Sequence, residues 1–307
     1  MRVALPVPAA IAVNPMPLTI AAFVVFWSWA FAVAKVALAD CPPLLLLMAR
    51  FLLAGAIILG AAVAMRMPWR LSRRDLAALA LLGVANNALY LGLNYVGMRS
   101  ISAGLSALIV SANPVLTAVL AAAFLGERMT WRKAAGLVLG LAGVAFIVQN
   151  RIAAGADSAA GIALTVAALV AMVGGTILFK RLKPQGSLMV GNGVQNLAGG
   201  LALVPFAFTL ESVGDVVPSW RLVAALGYLV LVVSLFAFLL WFHLLTVSGA
   251  TAASAYHFLM PPLGVLFGWL LLDERVAWPD LLGIIPVVIG IYLVTRAPAI
   301  AYIRRLP

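Results

Sequence analysis

The stretch AFLGERMTW (Ala123–Trp131) returns 147 residues later as LLLDERVAW (Leu270–Trp278). Each copy follows a long apolar run that contains a proline, and each precedes a second apolar run with spaced glycines. When Pro114 is aligned with Pro262, the Glu-Arg pairs and the tryptophans that follow them match after one residue of slippage. Internal symmetry of this length indicates that the chain consists of two similar halves.

The composition indicates a membrane protein. The 307 residues are 65% hydrophobic and 9% charged, with a mean hydropathy of +1.15, whereas soluble domains are about 45–50% apolar and about 25% charged. The chain is too apolar to cover a soluble exterior, so it is predicted to be an all-α polytopic membrane protein. The net charge of +11 lies largely between apolar runs, so we expect membrane lipids and no nucleic acid as partners. The single Cys41 excludes an intramolecular disulfide.

Charges and turn residues divide the chain into ten apolar runs, most of them near the ~20 residues that cross a bilayer as a helix. We therefore predict ten transmembrane helices, preceded by a proline-rich leader at 1–16 and followed by a tail at 297–307. Five helices belong to a first repeat, 17–150, and five to a second, 151–296. The predicted spans are 17–37, 43–64, 76–97, 102–125, 133–149, 159–179, 187–209, 221–245, 250–271 and 280–295.

The basic residues predict the orientation. Fourteen of the twenty Lys and Arg residues fall on the side that holds both termini, and an excess of such residues marks the cytoplasmic side. Because each half has an odd number of helices, the second half enters the membrane from the opposite side. Glu127 is then cytoplasmic and Glu274 external. Inverted repeats of this kind are typical of secondary transporters, although the Glu-Arg pairs alone are also compatible with interfacial turns.

Several stretches resemble one family. They are WSWAFAVAKVAL (27–38), MARFLLAG (48–55), both proline-to-Glu-Arg segments, and FLLWFHLLTVSGATAASAYHFLMPPLGVLFGWLLLDER (238–275). Together they resemble the drug/metabolite transporter superfamily, and in particular its ten-helix EamA branch. The resemblance implies a carrier in the inner (cytoplasmic) membrane that exports small metabolites, such as amino acids or related compounds.

Polar side chains inside a membrane are costly and therefore indicate function. The resemblance implies a central cavity lined by helices one, three, four, six, eight and nine. Asn86 and Tyr90, four residues apart on one helix face, are expected to share this cavity with His257. Amides that pack helices together remain an alternative at any single position, and Gln195 with Asn196 are the next candidates. The predicted substrate-binding residues are Trp27, Asn86, Asn87, Tyr90, Asn113, Tyr256 and His257.

The remaining predictions concern hinges, charges and the wall of the cavity. Pro114 and Pro262 are expected to bend their helices and to act as hinges of two gates. Lys35 is expected to extend to the headgroups. Arg50 lies deeper, so we expect it to pair with a helix-terminal carbonyl or Asp40, or to attract a substrate carboxylate. Gly174-Gly175 departs from the aromatic pattern of relatives and predicts a smoother, wider wall.

The last predictions concern the ion that drives transport and the absence of catalytic chemistry. All nine carboxylates lie at helix ends or in loops, so His243 and His257 are the titratable candidates for proton coupling. The chain contains no P-loop and no HExxH, and we expect no catalytic residue, metal or cofactor. A pocket without an acid favours zwitterionic or neutral solutes as the substrate. The carrier is expected to be a monomer or homodimer and to work by alternating access. An integral-membrane enzyme and a channel-like facilitator remain alternatives to this transporter.

Overall fold

A computed structural model describes residues 16–69, 71–127, 129–153, 157–274, 276 and 278–295. The regular elements of these residues are all helices, numbered here α1 to α10. The predicted leader, apart from Met16, and the predicted tail lie outside the described residues. The helices that run without an interruption are α1 (Met16–Leu38), α2 (Pro43–Ala64), α5 (Trp131–Ala153), α6 (Ala159–Leu182), α7 (Leu188–Leu210) and α10 (Trp278–Thr295).

Four helices contain an irregular segment. A π-helical turn at Val84–Tyr90 lies within α3 (Arg73–Met98), and another at Leu229–Ala237 lies within α8 (Trp220–Ser248). The helix α4 (Ala103–Leu125) is interrupted by a turn at 111–112. The helix α9 comprises the pieces Ala250–Ala255, Tyr256–Leu259 and Met260–Leu272, the middle one a 3-10 turn.

The two repeated prolines begin helical pieces rather than kink continuous ones. Pro114 lies in the first turn of Asn113–Leu125, and Pro262 lies in the first turn of Met260–Leu272. A proline lacks the backbone N–H, which has no intrahelical partner in the first turn anyway, so this position suits it. The interruption just before each proline is the feature that the two copies share.

Seven described helices are long and apolar enough to cross a membrane, namely α1, α2, α3, α4, α6, α7 and α8. The apolar stretches of α9 and α10 are shorter, Pro262–Leu272 and Leu281–Gly290. The structure thus establishes an all-helical membrane protein with seven candidate spans. The prediction of ten spans in two inverted halves adds three further spans and an inversion to these seven helices.

The helices pack in pairs drawn from the two sequence halves. The helix α2 packs along α7, and α5 packs along α10. Gly143 of α5 lies close to Gly283 of α10, so a Cβ on Gly143 would overlap with the Gly283 carbonyl oxygen and a Cβ on Gly283 would overlap with the Ile147 side chain of α5. Small residues permit this approach of two helix backbones. The interface between α5 and α10 therefore depends on glycine at both positions.

The repeated glutamates connect the halves at two places. The Glu274 carboxylate accepts hydrogen bonds from the backbone N–H groups of Ala103 and Gly104, at 2.7 and 3.1 Å, where α4 begins. Glu127 accepts a hydrogen bond from the Thr251 hydroxyl, where α9 begins. Each glutamate thus binds the start of the interrupted helix in the other half. They are not merely interfacial turn residues; their neighbours Arg128 and Arg275 lie outside the described residues.

A third carboxylate stabilises the beginning of α2. Glu211, at the end of α7, accepts hydrogen bonds from the backbone N–H groups of Leu44 at 3.0 Å and Leu45 at 2.8 Å. The first N–H groups of a helix have no intrahelical acceptor, and a negative charge at that end is favourable. Glu211 therefore fastens α7 to α2 through backbone groups.

We predict that Glu211→Ala destabilises the protein. The variant loses two charge-assisted hydrogen bonds, worth about 1–3 kcal/mol when a buried partner is left unsatisfied, so its thermal midpoint in detergent should fall by roughly 2–10 °C. The control is Asp215→Ala, which removes an exposed carboxylate four residues away. Equal midpoints for the two variants would show that Glu211 does not stabilise α2.

Candidate functional site

A small pocket lies between α1, α2, α3 and α8, at the level of both π-helical turns. Its volume is about 20 Å³, room for about one water molecule rather than a metabolite. Its wall combines one basic side chain with aromatic and amide groups. The residues that carry the argument are Trp27, Arg50, Tyr90, Asn94, Tyr95 and Phe238.

The π-helical turns position parts of this wall. Tyr90 is the last residue of the π-helical turn in α3, and Val233 and Ser234 belong to the π-helical turn in α8. A π-helical turn hydrogen-bonds from i to i+5 and so rotates the side chains that follow it relative to an α-helix. Such turns are frequent at functional sites.

Arg50 is the charged centre of the pocket. The side chain is 1% exposed, its Nε donates a hydrogen bond to the Ser234 hydroxyl at 2.9 Å, and its Nη1 donates one to the Tyr95 hydroxyl at 2.8 Å. The guanidinium carbon lies 5.1 Å from the centre of the Phe51 ring. Within the described chain no carboxylate pairs with Arg50.

The expected partners of Arg50 were therefore wrong in two respects. It binds hydroxyl groups rather than a helix-terminal carbonyl, and Asp40 is engaged elsewhere. The Asp40 carboxylate accepts hydrogen bonds from the Ser219 hydroxyl at 2.5 Å and from Nη2 of Arg221 at 3.3 Å. The expectation of a substrate carboxylate stays open.

Lys35 also departs from expectation. Instead of extending to the headgroups, its Nζ donates hydrogen bonds to the carbonyl oxygens of Met98 and Ile101, the latter at 2.7 Å. Met98 is the last residue of α3. The carbonyl groups at a helix end lack intrahelical donors and carry partial negative charge, so Lys35 caps α3 from α1.

Aromatic rings enclose one side of the pocket. The ring centre of Trp27 lies 5.0 Å from that of Phe238 and 6.5 Å from that of Trp241. His257 lies behind Trp27, with its ring 6.0 Å from Trp27 and 4.8 Å from Trp241, perpendicular to the latter. Its Nδ1 is 3.2 Å from the Ser254 carbonyl oxygen, whereas Nε2 has no hydrogen-bond partner in the described part of the chain.

Tyr90 presents a free hydroxyl to the pocket. The residue is 2% exposed. Its hydroxyl lies near the Trp27 side chain without the geometry of a hydrogen bond, and no other described residue binds it. A buried hydroxyl without a partner is uncommon in native proteins, so Tyr90 has a donor available for a bound molecule.

Asn86 does not share the pocket with Tyr90, contrary to the interpretation of their spacing. Its side chain lies against Gly175 of α6, where a Cβ would overlap with the Asn86 carboxamide. Although both residues lie in the same π-helical turn, Asn86 contacts α6 and Tyr90 lines the pocket. Gly174-Gly175 therefore does not make the wall wider, because Asn86 fills the space beside Gly175.

Other predicted residues also lie outside the pocket wall. Asn87 is buried against Gly199 of α7, with both polar side-chain atoms unpaired among the described residues. Asn113 accepts a hydrogen bond of 2.7 Å from Thr117 within α4. Tyr256 is half-buried in the 3-10 turn of α9 and packs on the core.

The secondary candidates separate in the same way. Gln195 borders another small pocket beside Phe179 and Phe242, and the Asn196 amide donates to Asn192 within α7. His243 is exposed on the outside of the bundle, which leaves His257 as the histidine near the pocket.

Sequence reasoning did not select some pocket residues. Tyr95, Ser234 and Phe238 line the pocket or bind Arg50, and Trp241 encloses His257. One signal was available, since Ser234 is the only polar residue between Tyr228 and His243 apart from Trp241. The sequence offered no comparable signal for Tyr95.

Relatives of known sequence cover nearly the whole chain. A protein of Archaeoglobus fulgidus named as an uncharacterized transporter is 26% identical, over 91% of this chain and 98% of its own length. The S-adenosylmethionine/S-adenosylhomocysteine transporter of Chlamydia trachomatis is 29% identical, over 81% of this chain and 79% of its own length.

A solved structure, described as the crystal structure of a protein, shares the fold. The TM-score is 0.69 at 19% identity, and the match covers 91% of this chain and 96% of that one. The family model of the EamA-like transporter family matches residues 15–149 and again residues 159–296. The chain therefore belongs to the EamA-like transporter family, as the resemblance in its sequence implied.

Proposed function

We propose that this protein is a secondary-active transporter that exports small metabolites across the cytoplasmic membrane by alternating access. Its cargo is an amino acid or a related zwitterionic or neutral solute. The observation that carries the proposal is the reciprocal contact of Glu127 with α9 and of Glu274 with α4. Such paired contacts suit two gates, one formed by the glutamate of each half.

The proposed topology has ten membrane helices in two inverted halves, 17–150 and 151–296, with both termini in the cytoplasm. The two matches to the family model, 15–149 and 159–296, support two related halves. The distribution of Lys and Arg supports the orientation. In this arrangement Glu127 lies at the cytoplasmic gate and Glu274 at the external gate.

The proposed hinges are the interruptions before Pro114 and Pro262. A break in the helix next to a proline lets one piece rotate against the other at little cost in hydrogen bonds. Each break lies in the same helix whose first residues bind the other half's glutamate. Release of that glutamate and rotation at the break are then parts of one opening movement.

A relative supports the class of cargo. The Chlamydia trachomatis protein bears the name of a transporter of two small metabolites, and the pocket offers aromatic rings and hydrogen-bond donors to a solute of similar polarity. The runner-up is a channel-like facilitator with the same pocket. A carrier exchanges its cargo across the membrane one molecule at a time, and a facilitator does not.

Counterflow tests the transport activity. Cells that express the protein are screened for export of candidate metabolites, and the purified protein is then placed in liposomes loaded with the cargo found. We expect labelled cargo to accumulate transiently and the rate to saturate. In Trp27→Leu, which removes an indole from the pocket wall, the rate should fall about fivefold or more, since a lost pocket contact of about 1–3 kcal/mol has that effect.

The matched control for Trp27→Leu is Trp29→Leu. Trp29 is two residues away on α1, and its ring packs edge-on against Phe267 at 4.6 Å, outside the pocket wall. Flux without counterflow would support a facilitator instead. Equal loss in both variants would show that the pocket around Trp27 is not where the cargo binds.

Cysteine labelling tests the topology. Met129 and Val276 follow the two glutamates and are equally exposed, at 40% and 39%. We expect Met129→Cys to react only with a membrane-permeant thiol reagent in intact cells and Val276→Cys to react with an impermeant one. Burial and the nearby Glu211 raise the pKa of the Cys41 thiol to about 11, so the native cysteine should remain unlabelled. Labelling of both sites from one side contradicts the inverted repeat.

The two gates should respond in opposite directions to loss of their glutamates. With Ala30→Cys as a reporter in the pocket wall, Glu274→Ala should raise labelling from outside, and Glu127→Ala should raise labelling from the cytoplasmic side. Removal of a charged hydrogen-bond partner costs about 1.5–3 kcal/mol, so the open fraction should rise about tenfold or more.

The control for the gates is Asp215→Ala, which removes an exposed carboxylate at a 3-10 turn. It should change the labelling of the Ala30→Cys reporter from neither side of the membrane. If both glutamate variants opened the pocket to the same side, the assignment of one gate to each end would be wrong. If neither changed the labelling, the reciprocal contacts would be structural and not part of a gate.

A further inference from the structure

Arg50 is a buried cation without a counter-ion. It is the one Lys or Arg side chain that is fully buried in the described part of the chain, and the buried acid there, Asp40, is already bound to Ser219 and Arg221. The two groups that Arg50 binds are hydroxyls, which carry no charge. A buried charge is costly unless it is paired, so the pocket lacks one negative charge.

The unsatisfied groups of the pocket converge on the same space. Arg50 and Tyr90 both line it, and the Tyr90 hydroxyl has no hydrogen-bond partner in the described residues. A guanidinium has five N–H donors in a planar fork, of which Nε and one on Nη1 are used by Ser234 and Tyr95. The pocket therefore offers donors from a cation and from a phenol, and no acceptor with a charge.

We propose that the pocket binds a carboxylate and that Arg50 is the residue that pairs with it. A carboxylate is planar, accepts up to four hydrogen bonds, and matches the guanidinium fork in charge and shape. Tyr90 donates a further hydrogen bond to it. Trp27 and Phe238, on the aromatic side of the pocket, then face the remainder of the molecule.

This inference rests on the proposed function only in assigning the carboxylate to the cargo. It narrows the cargo to solutes that bear an acid group, zwitterions included, and removes neutral solutes from the candidates. The carboxylate of the cargo then pairs with Arg50 as its missing counter-ion.

A consequence distinguishes binding from a structural role. If Arg50 served mainly to hold Tyr95 and Ser234, its removal would destabilise the empty protein. If Arg50 instead serves to bind a carboxylate, its unpaired charge lowers the stability of the protein without ligand. An apolar side chain of similar length removes that cost. We therefore expect Arg50→Met to keep or raise the thermal midpoint of the empty protein.

The test uses formate, the smallest carboxylate, and formamide, its neutral counterpart of nearly the same shape. Purified full-length protein in a non-ionic detergent is titrated with each at constant ionic strength, set with sodium chloride, so that no anionic lipid supplies the charge. We expect formate to raise the thermal midpoint in a saturable manner and formamide to have no such effect, because a ligand of the folded state stabilises it.

Three variants complete the test. Arg50→Met should abolish the shift caused by formate, and Arg50→Lys and Tyr90→Phe, which keep the charge or the ring, should each weaken formate binding about tenfold. If Arg50→Met does not fold, the stability prediction is wrong and Arg50 has a structural role, and Arg50→Lys and Tyr90→Phe then decide whether the pocket also binds formate. Trp29→Leu, outside the pocket, should bind formate as the parent does.

Each outcome decides for or against the carboxylate site. Equal effects of formate and formamide, or a formate shift that persists in Arg50→Met, would overturn it, as would the absence of any formate shift. Chloride that competes fully with formate would make Arg50 a general anion site instead. The binding measurement needs no transport, so the two proposals fail separately. Formate binding without counterflow would refute the transporter and keep the carboxylate site. Counterflow without formate binding would keep the transporter and refute the carboxylate site.

Discussion

The start of α4 depends on a carboxylate from the other half of the chain. The backbone N–H groups of Ala103 and Gly104 have no acceptor within their own helix, and Glu274 supplies it. At the start of α9 the Thr251 hydroxyl meets Glu127. Neither half therefore completes its interrupted helix alone. A few polar contacts of this kind can be broken and remade, whereas the close glycine packing of α5 on α10 holds its surfaces together.

The helices and their ends were accessible from the sequence because their causes are local. Apolar length, clustered charges and prolines predicted segments close to those observed. Pro114 and Pro262, predicted to bend their helices, each lie in the first turn of a helical piece. The partners of Glu127 and Glu274 were not accessible, because each carboxylate meets a group more than 120 residues away in the chain. The repeat showed that the two glutamates correspond, and the structure shows what each one binds.

The pocket was predictable only in part, for a similar reason. Trp27 and Tyr90 were identified as polar or aromatic groups in apolar helices, and both line the pocket. Asn86 lies against Gly175 of α6 instead of the pocket, because the spacing of two residues on a helix does not predict which neighbouring helix each side chain contacts. The hydroxyls that accept hydrogen bonds from Arg50 come from two other helices, and the apolar pattern of those helices does not predict these contacts.

One side chain joins three helices around the pocket. Arg50 of α2 donates hydrogen bonds to Ser234 of α8 and to Tyr95 of α3, so these two contacts tie α3 and α8 to α2. On the proposal of a carboxylate site, the donors of Arg50 that neither hydroxyl uses would meet the carboxylate, which is a stronger acceptor for a guanidinium than a hydroxyl is. The charge proposed to select the cargo and the contacts that join α2 to α3 and α8 therefore belong to one side chain, Arg50.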